Sequence, residues 1–250
     1  TIDPDNSYAY PYTEISVGIG YNKKKIEEVF GKDYKLTSWD VLLKPENSAK
    51  LKECGIAVLD SPIEIFSTVM HVLKKDPASE KASDYDEALD ILTKLASNVA
   101  YFHSSRYIND LASGEICMAI GYSGDVLQAT QRAKTNNIDI EYVIPDEGSI
   151  FWFDCWTIAA NADNYDNAHV WFNYLMDPKV ATTIANEMRY MMPVTEAIKD
   201  LDADLKSNPS LNIPEEKMKT MYFLQPTSSK VTKITNKLWN SMKLNSGKAD

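Results

Sequence analysis

With 250 residues, 44% of them hydrophobic and 25% charged, the chain can bury a sizeable core and has the composition of a folded protein, not a disordered one. A formal net charge of −10 argues against nucleic acid or an anionic membrane as partner and favours cationic ligands near the surface. No apolar run approaches the length of a bilayer span, and Thr1-Ile2-Asp3-Pro4-Asp5 does not read as an export signal.

Along the chain, short apolar segments alternate with helical patterns, the signature of an α/β protein. Gly18-Ile19-Gly20 carries two of the three glycines of a dinucleotide fingerprint and has no clear helix start after it, so no nucleotide cofactor is expected. Ile56-Ala57-Val58-Leu59 reads as a buried strand. Ser61-Pro62-Ile63-Glu64 follows as a capping box with Pro at the first helical position, and Phe66, Val69, Met70 and Leu73 continue at helical spacing. A helix is predicted over Tyr85 to Ala96, a strand over Val99 to Phe102, and a short helix through Tyr107, Ile108 and Leu111 that Gly114 caps. The strand Ile116 to Gly121 and a helix through Val126, Ala129 and Ala133 come next, then strands Ile138 to Ile144 and Phe151 to Trp156. Consecutive helices Asn164 to Met176 and Pro178 to Met188 break at Asp177-Pro178. Pro193 and the polar stretch Asp200 to Pro214 form a long connection to a last helix, where Val231, Ile234, Leu238 and Met242 share a side. Lys230, Lys233, Lys237 and Lys243 read as its solvated face.

The densest chemical signal is Phe151-Trp152-Phe153-Asp154-Cys155-Trp156. As a strand it turns Trp152, Asp154 and Trp156 to one face, so one acid stands between two indoles. A carboxylate in apolar surroundings needs a cation or strong donors, and aromatic faces attract cations themselves, which points to a receptor for an organic amine. The alternative is a core strand whose Asp is paired internally. Asp125 falls at a strand-to-helix junction, where the helix dipole favours an ionised carboxylate, and Tyr122 projects from the same loop. Glu64 also sits in a first helical turn after a strand, and open α/β sheets bind ligands at the carboxyl ends of their strands. Helix capping is the competing role for both acids. His71, His103 and His169 fall in no catalytic or metal pattern, and the three cysteines lack metal-ligand spacing, so no metal site is expected. The enzymatic alternative is a hydrolase using Asp125 and Asp154 as paired carboxylates. Cys54 and Cys117 lie beside predicted strands and can meet in an oxidising compartment, leaving Cys155 as a buried thiol; equally, all three can be reduced and buried.

Several stretches carry a family likeness: Tyr101-Phe102-His103-Ser104-Ser105 through Tyr107-Ile108-Asn109-Asp110-Leu111, then Ala119-Ile120-Gly121-Tyr122-Ser123-Gly124-Asp125, then Ile144-Pro145 with Glu147-Gly148. With Ser38-Trp39-Asp40, Leu43-Lys44-Pro45-Glu46-Asn47, and Pro11-Tyr12 before Gly18-Ile19-Gly20-Tyr21-Asn22, the whole chain resembles periplasmic putrescine- and spermidine-binding proteins of ABC uptake systems. The resemblance implies a type II periplasmic-binding-protein fold of two α/β lobes, with residues 1–13 and 153–198 in lobe one and 14–152 and 199–250 in lobe two. It implies a non-catalytic receptor in the periplasm that closes on a polyamine and passes it to an ABC permease, its one contact with a membrane; a binding protein for another cationic solute is the variant. Position by position, Asp125 and Asp154 are implied to pair with ammonium groups and Tyr122 and Trp152 to sandwich the methylene chain. Glu64, Tyr190 and Gln225 are implied as further ligand contacts, and the putrescine-binding relatives imply a Cys54–Cys117 disulfide. These relatives carry additional amino-terminal chain that supplies the first strands of lobe one and an aromatic-Ser/Thr-acid segment of the site, so an incomplete first lobe is expected. Two departures stand out: Glu14 replaces a usual aromatic, and Tyr122 a common Trp. Ser61 in place of an acid points to a diamine, whereas Trp152 and Gln225 match the spermidine group, which leaves the ligand's length open.

Overall fold

One long strand organises the sheet, and it is the element that the sequence patterns did not predict. The structure, a computed structural model, describes residues 3–209, 211–224 and 226–247. Strand β1 (Tyr10–Asn22) runs for 13 residues, and every position from Ile15 onward is buried. Ile15, Val17, Ile19 and Tyr21 do alternate with Ser16, Gly18, Gly20 and Asn22, but the second set is small or turn-forming residues, and two glycines read as breakers and not as the second face of a strand. Three helices follow: α1 (Lys23–Phe30), α2 (Asp40–Leu43) and α3 (Pro45–Leu51). The Asn22 side chain caps α1 by accepting the Lys25 N–H at 3.2 Å.

From there the expected alternation appears, with shifted boundaries: β2 (Ile56–Val58), α4 (Pro62–Val72), α5 (Asp86–Ala96) and β3 (Tyr101–Phe102). Next come α6 (Tyr107–Ser113), β4 (Met118–Tyr122), α7 (Ser123–Ala133), β5 (Ile140–Val143) and β6 (Phe151–Trp156). Gly114 ends α6 in the left-handed conformation, with φ at 81°. Helices α8 (Tyr165–Leu175) and α9 (Pro178–Met188) are separated by Asp177, whose carboxylate accepts the N–H groups of Lys179 and Val180. The long connection holds two single turns, α10 (Ala203–Lys206) and α11 (Glu215–Met218), before α12 (Ser229–Asn245).

The sheet order is β3-β2-β4-β1-β5, with β6 joined to β1. Strand β2 is parallel to β3 and β4, while β1 is antiparallel to β4, β5 and β6. Because β2 and β4 are parallel neighbours, the first turns of α4 and α7 emerge side by side at their carboxyl ends. The same pairing brings Cys54 and Cys117, just ahead of the two strands, together in a disulfide with Cα atoms 5.4 Å apart. In the chain-entropy account, closing a loop of this size contributes on the order of 4 kcal/mol.

The larger core cluster gathers Trp39, Phe66, Tyr85, Tyr107 and Trp239 with the sheet residues. A second cluster gathers Ala181, Ala185, Met191, Met192, Leu201, Leu205 and Leu211, and α7 belongs to both: Val126 and Ala129 face the first, Leu127 the second. Two sequence expectations fail here. Lys243 is no part of a solvated face: it is buried, and its Nζ lies 3.0 Å from Asp60 Oδ2, while Trp239 one turn earlier donates Nε1–H to Asp60 Oδ1 at 2.7 Å. An acid at the end of β2 needs a cation, and the helical stride places both donors on it. Cys155 is exposed, not buried, because Tyr222 bonds β6 only at its start, and Phe153, Asp154 and Cys155 stay uncovered among the described residues.

Candidate functional site

The candidate site lies where the first turns of α4 and α7 meet β6. In α4 the expected capping box does not form: Ser61 takes the N-cap position without a side-chain cap bond to the backbone. The Glu64 carboxylate instead turns toward β4 and accepts the Tyr122 hydroxyl at 2.9 Å. Burial pushes the Glu64 pKa up, while hydrogen bonds from Tyr122 and Ser61 pull against it. Tyr122 ends β4 and is itself raised, first by burial and then by the Glu64 charge.

Asp125, in the first turn of α7, has both oxygens engaged. Tyr190 donates its hydroxyl to Oδ1 at 2.7 Å and Tyr107 donates to Oδ2 at 2.8 Å. Burial raises this carboxyl above its ordinary pKa, the two tyrosines counter that, and Arg132 lowers it from further along the helix. The helix dipole expected from sequence to favour the ionised form thus acts alongside desolvation, which the sequence did not reveal.

On β6, Trp152 and Asp154 do share a face, as the strand period requires: the indole Nε1–H donates to Asp154 Oδ1 at 3.0 Å. Trp156 turns to Tyr12 and Phe172, with ring centroids 4.7 and 5.8 Å away. Across the strand pair, Thr13 faces Asp154 and Ile15 faces Trp152. Tyr122 and Trp152 meet edge to face, centroids 5.8 Å apart and planes at 86°, so they touch each other and leave no slot between parallel rings.

A cavity of about 560 Å³ opens over these groups. Of the residues expected from sequence it is lined by Glu64, Tyr122, Trp152, Asp154 and Tyr190; Asp125 stands outside the lining, behind Tyr190. Gln225 lies outside the described residues. The remaining walls are Tyr12, Thr13, Ile15, Met188 and Leu224, which sequence reasoning missed. Thr13 and Ile15 become visible only once β1 is paired with β6, since their spacing of two puts them opposite Asp154 and Trp152. Among the described residues, neither Lys, Arg nor His forms an ion pair with Glu64, Asp125 or Asp154, whose partners are tyrosine hydroxyls and an indole. Acids unneutralised by protein bases, with aromatic walls between them, suit an elongated organic cation. Among the described residues no group of His, Cys, Asp and Glu is arranged to hold a metal ion, and no helix is long and apolar enough to cross a membrane.

Comparison with known proteins adds an independent line. The profile described as bacterial extracellular solute-binding protein matches residues 1–213. The putrescine-binding periplasmic protein PotF of Escherichia coli (strain K12) is 43% identical over 244 residues, covering 96% of this chain and 66% of the relative. SpuD, a putrescine-binding periplasmic protein of Pseudomonas aeruginosa (strain UCBPP-PA14), is 37% identical over 96% of this chain and 66% of its own length. The chain thus spans just under two thirds of these relatives. Among solved structures, the spermidine/putrescine ABC transporter substrate-binding protein PotD from Streptococcus pneumoniae superposes with a TM-score of 0.78 at 23% identity, covering 98% of this chain and 71% of that one. The Tp0655 lipoprotein of Treponema pallidum gives 0.73 at 19% identity, over 96% and 70%.

Proposed function

Because the chain belongs to the bacterial extracellular solute-binding proteins, we propose that it forms the greater part of a periplasmic receptor that captures putrescine or spermidine and delivers it to an ABC permease. The mixed α/β fold is that of the two-lobe periplasmic binding proteins. The observation that carries the ligand assignment is the set of acids without a basic ion-pair partner among the described residues: Glu64 and Asp154 on the cavity wall and Asp125 behind it. Glu64 and Asp154 can each receive an ammonium group directly, Asp125 does so in this proposal where Tyr190 gives it access, and Tyr12, Tyr122, Trp152 and Tyr190 supply flat surface for the methylene stem between charges. Tyr122 and Trp152 must part from their edge-to-face contact to embrace that stem, and Gln225 is a further contact in this proposal. The names of the relatives support a polyamine over other cations.

Lobe one takes residues 1–13 and 153–198 and lobe two 14–152 and 199–250 in this scheme. Packing of Leu201, Leu205 and Leu211 into the second cluster argues for carrying the last boundary beyond 211. A receptor leaves its ligand unchanged, so the carboxylates act in recognition and not as a hydrolytic pair. No nucleic acid partner is part of the proposal, in keeping with the net charge of −10. Calorimetry with putrescine, spermidine and glucose tests it, on this chain and on the chain completed with the remaining portion of a full-length relative. Saturable binding of an amine and none of glucose is expected; glucose binding, or no amine binding by either form, refutes it.

A further inference from the structure

Tyr107 was read from sequence as one apolar residue of a short helix. The structure places it, fully buried, at the start of α6 with its hydroxyl under the candidate site. Its ring lies flat against Gly121, where any Cβ would fall 2.6 Å from a ring carbon, so the strand end is bare where the ring must pass. The Tyr107 hydroxyl accepts the Tyr122 backbone N–H at 3.0 Å and donates to Asp125 Oδ2 at 2.8 Å. We propose that Tyr107 is a positioning residue for cation recognition, its buried hydroxyl bracketing the Asp125 carboxylate and the main chain of Tyr122 in one geometry; the proposal rests on the polyamine assignment above.

Hydrogen-bond polarity makes the bracket one-directional. A backbone N–H can only donate, so a hydroxyl that accepts it has its single proton left for Asp125. Tyr190 obeys the same rule on the other side: its hydroxyl accepts the Asp125 backbone N–H at 3.2 Å and donates to Oδ1 at 2.7 Å. Both oxygens of Asp125 are therefore acceptors, and both bonds are stronger to the carboxylate than to the neutral acid. That holds a negative charge in a place where burial alone favours the neutral acid. The groups that face Asp125 are Tyr107 from α6, Tyr122 at the end of β4, Tyr190 beyond α9 and, further along α7, Arg132. Of these, Tyr107 alone holds both the acid and the backbone of a second candidate ligand residue.

Tyr107→Phe keeps the ring and deletes the hydroxyl. The Asp125 carboxyl is followed by carbon NMR in aspartate-labelled protein, assigned with Asp125→Asn, and putrescine affinity is measured by calorimetry across pH. The Asp125 midpoint is expected to rise by about one pH unit, as loss of a hydrogen bond to the charged form requires. Putrescine affinity falls about fivefold at neutral pH, and its acid limb moves up with the carboxyl. An unmoved Asp125 midpoint, or an affinity lowered equally at every pH, overturns the proposal. Where Tyr107→Phe does not fold, 3-fluorotyrosine at position 107 keeps the hydroxyl as a stronger donor; midpoint and limb must then move down, and no movement overturns the proposal. A shifted midpoint in a protein that binds no putrescine refutes the polyamine assignment and leaves the bracket standing.

Discussion

Glu64→Gln removes one negative charge from the cavity wall at almost constant shape. The Tyr122 hydroxyl, which now donates to Oε2 at 2.9 Å, can donate equally to the amide oxygen, so no buried group is orphaned. What disappears is the charge-assisted contact to an ammonium group. Such a contact contributes about 1.5–3 kcal/mol net, and about 1.4 kcal/mol is a tenfold step, so putrescine affinity should fall roughly 10- to 150-fold. The bare Coulomb energy, about 4 kcal/mol at 4 Å for an effective dielectric constant near 20, is the ceiling, since desolvation is subtracted from it. Stability should move the other way. Burial raises the Glu64 pKa, so the folded ligand-free protein binds that proton more tightly than the unfolded chain, and the penalty grows from the ordinary glutamate pKa upward and is complete above the raised value. Glu64→Gln should therefore melt above the unsubstituted protein at neutral pH. The advantage shrinks as pH falls through the raised value and vanishes below the ordinary glutamate pKa, about 4.3. Calorimetry with putrescine and paired thermal melts measure both effects. A correctly folded variant whose affinity stays within about twofold would refute the assignment of Glu64 to the amine.

Asp154→Asn keeps an acceptor for the Trp152 indole and removes a second charge, so putrescine affinity should drop at least about tenfold; an unaltered affinity would make Asp154 structural. Thiol counting under denaturing, non-reducing conditions should find one free cysteine, Cys155, and a count of three would reject the Cys54–Cys117 bond. Among the described residues, Lys243→Met leaves the partly exposed Asp60 with the Trp239 donor. It should cost about 1 kcal/mol, or roughly 2–4 °C in melting temperature, and an unchanged melt would show that the ion pair contributes nothing measurable.

Helices and strands whose residues repeat at their own period were readable before any coordinates. The Leu and Ala positions of α5 and the Asp177-Pro178 break between α8 and α9 are examples. β1 was not, because glycines at two of its alternate positions read as a loop and hide the period that Ile15, Val17, Ile19 and Tyr21 keep, and α1 to α3 went unmarked with it. Within the site, strand alternation correctly put Trp152 and Asp154 together, since that relation is local. The cross-strand neighbours Thr13 and Ile15, and the hydroxyls of Tyr107 and Tyr190 on Asp125, depend on register and on contacts between residues far apart in the chain. Lys243 misled for a related reason. A lysine on a helix is normally solvated, and the acid that buries this one lies in the loop just after β2, 183 residues away in sequence.

β1 passes from pairing with β6, where Ser16 lies opposite Phe151, to pairing with β4, where Val17 lies opposite Tyr122, without an intervening loop, and the Val17 N–H still bonds Ile150 O just ahead of β6. Ser16 and Val17 are buried, and the Ser16 N–H is already taken by the Ser123 hydroxyl at 3.3 Å. The backbone therefore has no slack at the junction. Relative movement of the ladder carrying Asp154 against the one carrying Tyr122 must twist this extended rod, which shares the load with the segment around Ile150 and Tyr222.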